Sequence, residues 1–150
     1  MNSVIRNKLL LVLIVVSVLC SGCALFTQEF HCNASDVETI SIVEVNEGRD
    51  ESGNFEYQEK LLCEVTDISA FITKLNSVEC RINGGDPVSI ELGSIAIKIT
   101  YKNGDRDLLA HNAQRLYRQN TGYDSEGFWW FDQEQFEALI SEYYEGPSIS

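Results

Sequence analysis

Two groups of side chains have the types and spacing for chemistry. Nine of the chain's fifteen aromatic residues fall between Tyr117 and Tyr144, namely Tyr117, Tyr123, Phe128, Trp129, Trp130, Phe131, Phe136, Tyr143 and Tyr144. Flat rings anchor protein partners and stack on sugars, so Phe128, Trp129, Trp130, Tyr117 and Tyr123 form the candidate binding surface. The competing account is a core with loop cover. The second group is Glu47, Asp50 and Glu51 in a polar loop. Carboxylates of this kind suit calcium, but Arg49 interrupts them and no EF-hand spacing follows, which favours a solvated acidic turn. His31-Cys32 has ligand types, yet two histidines and no CxxC spacing make no metal site. His111 closes a strand with no recognisable partner. GxSxG, HExxH, GxxxxGK[ST] and GxGxxG are all absent from the chain. No catalytic residue, metal or cofactor is therefore assigned, and the balance is against an enzyme.

Charge narrows the partners. All 23 acidic residues follow residue 22, whereas two of the 11 basic ones, Arg6 and Lys8, precede it, so the chain from Cys23 onward carries a net −14. That sign argues against nucleic acid and against direct adhesion to anionic lipid, and it admits a basic protein or cations. Cys32, Cys63 and Cys80 remain once Cys23 is set aside. Three thiols allow one disulfide, and Cys63–Cys80 across the intervening helix is the favoured pair. A buried free thiol is the alternative for Cys63, which sits among apolar neighbours.

Residues 9–19, LLLVLIVVSVL, follow Arg6 and Lys8 and stop at Ser21-Gly22-Cys23. A short basic segment, an apolar run and then small residues is the layout of an export signal. Leu19-Cys20-Ser21-Gly22-Cys23 resembles the lipobox of bacterial lipoproteins, in which cleavage leaves an N-terminal cysteine bearing a diacylglyceryl group. The resemblance implies a signal peptide over residues 1–22, lipidation of Cys23, and a location on the outer face of the cytoplasmic membrane. The same layout also admits an uncleaved membrane anchor or ordinary signal cleavage.

The elements that must position these side chains follow from periodicity. Residues 23–37 read as a tether, 38–146 as one domain and 147–150 as a tail; about 110 residues support a single hydrophobic core. TISIVEV, at 39–45, is β-branched and reads as a strand. Phe55, Tyr57, Leu61, Cys63 and Val65 alternate with polar residues, which predicts a half-buried strand. Ile68, Phe71, Ile72 and Leu75 share one helix face, capped by Thr66 or Asp67 and stopped at a left-handed Asn76. A short strand is expected at 80–82, then a turn at Gly84-Gly85-Asp86-Pro87 and alternating Val88, Ile90 and Leu92. Residues 95–111 read as a hairpin about a type I′ turn at Asn103-Gly104. Its two-residue loop pairs Ile99 with Leu108 and Thr100 with Asp107, and puts the core on the isoleucine side. Residues 112–126 read as a long connection with an irregular turn of helix. A short strand at 127–131 leads to a helix capped by Asp132 with Gln135 in a capping box, ended by Gly146-Pro147. The expected fold is α+β, an antiparallel sheet of five or six strands with two helices packed on one face.

The stretch Ile97-Lys98-Ile99-Thr100-Tyr101-Lys102-Asn103-Gly104-Asp105 and the ending from Gly127-Phe128-Trp129-Trp130-Phe131 to Tyr143-Tyr144 resemble small lipoproteins of Gram-positive bacteria. The resemblance implies an envelope location and brings no activity or site residues with it. The functional expectation is a lipid-anchored, non-catalytic binding or interaction module for a protein or carbohydrate partner. The alternatives are an inhibitor or immunity-type protein for a basic secreted enzyme and, less favoured, an enzyme with a site assembled from scattered residues.

Overall fold

The computed structural model describes residues 30–49, 51–53, 55–82, 88–125 and 127–146, with no side-chain account for residues 55, 82 and 123–125. The signal segment, Cys23, Asp50, the turn at 84–87 and the tail at 147–150 lie outside the described residues, as does the side chain of Tyr123. The fold is α+β. β1 (Val37–Arg49), β2 (Phe55–Glu64), β3 (Cys80–Ile82), β4 (Ile95–Tyr101), β5 (Arg106–Ala110), β6 (Ala113–Arg118), β7 (Gly122–Ser125) and β8 (Trp129–Phe131) are joined by two helices, α1 (Ile68–Leu75) and α2 (Gln133–Ser141). Six strands form one antiparallel sheet in the order β2-β1-β4-β5-β6-β7, and β3 pairs with β8 as a separate ribbon.

Alternation along the central strands explains the packing. Ile40, Ile42, Ile97, Ile99 and Leu109 point to one face and are buried with Phe71, Ile72 and Leu75 of α1 and Phe136, Leu139 and Ile140 of α2. Both helices thus cover the isoleucine side, as the sequence predicts. The opposite face is dry as well: Val43, Val45, Tyr57, Ala96, Leu108 and Ala110 gather around Ile90. Val88, Ile90 and Leu92 form no strand. Their segment crosses this second face with Ile90 buried and Leu92 exposed. Two backbone bonds secure it to β1, Val45 N–H to Ser94 O at 2.9 Å and Gly93 N–H to Val45 O at 2.6 Å. β2 is an outer strand whose Glu56, Gln58, Lys60, Leu61 and Glu64 are exposed, and its pairing with β1 shifts register at Ile42/Val43.

The β4–β5 turn differs from expectation in a way that decides the site. Gly104 N–H bonds to Tyr101 O at 2.9 Å and Tyr101 N–H to Asp105 O at 2.9 Å, so the loop has three residues, the last of them Gly104 at positive φ (88°). This is a type I turn closed by a glycine bulge, the next commonest hairpin after the two-residue I′ form. Asn103 contributes its side chain, accepting from Asp105 N–H at 3.0 Å. The pairing moves by one residue, to Ile99 opposite Asp107 and Ile97 opposite Leu109. Because side chains alternate, that step turns Leu108 to the second face and brings Asp107 to the isoleucine side.

Three further expectations are corrected. Residues 112–126 carry no helical turn, since most of them form β6 and β7. Asn76 is right-handed (φ −65°), and its side chain reaches across the fold instead. α2 ends at Ser141, ahead of Gly146-Pro147, and its capping box is half made: Asp132 accepts from Gln135 N–H at 3.0 Å, while the Gln135 side chain turns to accept from Glu79 N–H at 2.9 Å. That bond ties α2 to the β3–β8 ribbon.

Candidate ligand cleft

Residues 30–33, read from the sequence as part of the tether, are packed into the domain. Phe30 is buried, edge-on to Trp129 (ring centroids 5.9 Å) and Phe131 (5.4 Å), and its N–H donates to Cys80 Sγ at 3.0 Å. The Asn76 side chain grips the backbone of Cys32 on both sides, accepting from its N–H at 2.9 Å and donating to its carbonyl at 2.8 Å. Residues 30–33 are thereby laid across the end of the sheet where the β4–β5 turn emerges.

Beneath them opens a cleft of about 730 Å³. Phe30 and Trp129 form an aromatic wall; Asp36, Lys102, Asp105 and Arg118 form the rim; Tyr101, Asp107, Gln114 and Leu116 form the floor. Asp107, 5% exposed, is the most deeply buried acidic residue among those described. It accepts from the Tyr101 hydroxyl at 2.7 Å and from Gln114 Nε2 at 2.9 Å. These bonds link β4, β5 and β6 through one carboxylate, and they compensate in part for its burial. Cys32 Sγ lies 3.6 Å from the Tyr101 oxygen. With the phenol proton directed at Asp107, the thiol is the donor in that contact.

The electrostatics of this chain favour holding protons. Burial pushes the Asp107 carboxyl above its ordinary value against the pull of the Tyr101 and Gln114 bonds. Burial and then the Asp107 charge drive the Tyr101 phenol far upward, and burial raises the Cys32 thiol. At the rim the Gln119 backbone N–H, with Arg118 and Asn103, holds Asp105 below the usual carboxylate range. The cleft offers fixed acceptors and an aromatic wall, and its Cys32 thiol, raised by burial, is the unreactive kind.

The candidate binding surface read from sequence is divided by the structure. Trp129 and Phe131 face the core, while Phe128 (46% exposed) and Trp130 (38%) face solvent, the alternation expected of a strand. Trp129 enters the cleft wall. Trp130 lies under the Arg81 guanidinium, 5.3 Å from its ring centre, beside a second hollow of about 550 Å³ lined by Cys80, Arg81, His111 and Asp132. Tyr117 is covered by Arg106 at 4.2 Å, and the backbone of Tyr123 pairs opposite it. Trp129 therefore does not share a face with Phe128 and Trp130. The Cys63–Cys80 bridge is not formed: neither sulfur is in a disulfide. Cys63 Sγ donates to Tyr143 O at 3.4 Å, and Cys80 Sγ is taken by Phe30 N–H.

Sequence reasoning missed Tyr101, Asp107, Gln114 and Cys32 as a group. The available signal was an aspartate directly before the apolar run Leu108-Leu109-Ala110, which a three-residue turn would have turned inward. Among the described residues no helix is long and apolar enough to cross a membrane, and no three His, Cys, Asp or Glu side chains converge as metal ligands. Comparison with protein-family models, curated proteins and solved structures finds no match.

Proposed function

We propose that this chain is a lipid-anchored, non-catalytic binding module of the bacterial envelope, held on the outer face of the cytoplasmic membrane through Cys23. The cleft under residues 30–33 is its ligand site. One observation carries the binding role: a cleft large enough for a small ligand, with a buried carboxylate held by two hydrogen bonds on its floor, its remaining lone pairs open to a ligand, and Trp129 in its wall. Such a floor is a fixed set of acceptors, and it orients a ligand without being consumed. The raised thiol and phenol favour recognition over nucleophilic chemistry.

Two measurements test this together. Cys23→Ala should abolish fatty-acid incorporation and leave unprocessed precursor; unchanged labelling refutes the anchor. In a Trp130→Phe chain the sole remaining tryptophan lies in the cleft wall. Its emission should shift on titration with the matching member of a panel of wall sugars, short peptides and amines. Asp107→Asn should weaken that response about tenfold. No shift with any member, or equal affinity in the Asp107→Asn chain, refutes the cleft as the site.

The exposed Glu47, Glu51 and Glu56 around the β1–β2 connection favour a second reading, an inhibitor of a basic secreted enzyme through charge-steered association. Binding to such a partner that falls steeply with salt supports it, and salt-indifferent binding opposes it.

A further inference from the structure

Resting on the proposed anchor at Cys23, we infer that the cleft end of the domain is held against the headgroup layer of the bilayer, so that the cleft is a membrane-facing site. The first support is reach. Seven peptide steps separate Cys23 from Phe30, and at full extension they span at most about 25 Å. Phe30 is no loose attachment: it is buried against Trp129, and Asn76 grips Cys32 two residues on. The anchor therefore pulls on the cleft's own roof.

The second support is the distribution of charge along β1. That strand has 13 residues, which at about 3.4 Å per residue is roughly 44 Å, and it runs from the cleft to the β1–β2 connection. At the cleft end Lys102, Arg106 and Arg118 stand against Asp36, Glu38, Asp105 and the buried Asp107, whereas at the far end Glu47, Glu51 and Glu56 outnumber Arg49 three to one. An anionic surface repels the far end and tolerates the near one, and the field of the whole domain turns it accordingly.

The test uses the full chain purified with its native modification and reconstituted in vesicles of phosphatidylglycerol and phosphatidylethanolamine, a fraction of the latter carrying a headgroup diazirine. After illumination, peptides covering the turns at 102–104 and 119–121 should carry at least fivefold more label than the peptide covering 51–53. A 30-residue Gly/Ser insertion after residue 24 should erase most of that difference while the protein still floats with the vesicles. Equal labelling of both ends in the native chain, or heavier labelling at 51–53, overturns the orientation and leaves the anchor standing. A chain that sediments free of vesicles and lacks acyl mass overturns the anchor, and the orientation with it.

Discussion

At the scale of single residues, Asp107 controls how the cleft responds to acidity. Its folded-state pKa lies above the ordinary value of 3.8, so the native state holds that proton to higher pH than the unfolded chain does. As pH rises from that ordinary value to the folded one, the unfolded state loses its proton first, and this contribution to stability declines. Thermal unfolding of the wild type and of Asp107→Asn, compared across pH 3.5 to 8, isolates the effect. Relative to the variant, the wild type should lose Tm as pH rises; a parallel pair of curves would contradict the assignment. Tyr101→Phe should act in the opposite sense from Asn. It removes a donor to a buried carboxylate, costs about 1.5–3 kcal/mol, and steepens the decline. Neither residue declares its role in the sequence, where Tyr101 is one strand aromatic among several and Asp107 one of 23 acids.

At the scale of elements, legibility followed how local the signal was. The isoleucine alternation of β4, the stripe of α1 and the Asp132 cap are all set within a few residues, and each stands as expected. The β4–β5 register depends on a choice between two turn types that the same Asn-Gly pair accepts, and a single residue of slip hid the cleft floor. The strands at 113–118 and 122–125 were illegible because AQRLYR mixes its faces: Gln114 is buried under a carboxylate while Arg115 covers the Tyr57 ring at 4.7 Å. Tertiary partners decide such strands, whatever their propensity. Glycine marks another long-range constraint. Gly127 has φ 70°, and a Cβ there would fall 2.0 Å from the backbone nitrogen of Val88. At Gly104 (φ 88°) the nearest obstacle is the movable Gln119 side chain at 3.0 Å. Gly104→Ala should cost about 1–2 kcal/mol from its left-handed backbone. Gly127→Ala should cost clearly more in urea denaturation, because the β8 ribbon must separate from the segment carrying Ile90. Equal losses would mean that this contact is loose.

At the scale of the molecule, cysteine chemistry gives a check on the whole arrangement. None of the three described cysteines is in a disulfide, and Cys32 is buried. Iodoacetamide should therefore modify Cys32, Cys63 and Cys80 in denatured protein without prior reduction, as read by peptide mass. In the native protein Cys32 should react slowest; a Cys63–Cys80 linked peptide would refute the packing of β2 against the chain after α2. The sheet is open, with β2 at one margin and β7 at the other. On β2, Glu56, Gln58, Lys60 and Glu64 line the solvent side beside one exposed leucine, Leu61, and the pairing with β1 breaks step at Ile42/Val43. Irregularity and charge of this kind deter a second chain from extending the sheet. Under the anchoring proposed above, which would crowd copies on a two-dimensional surface, that margin keeps close company from becoming a fibre.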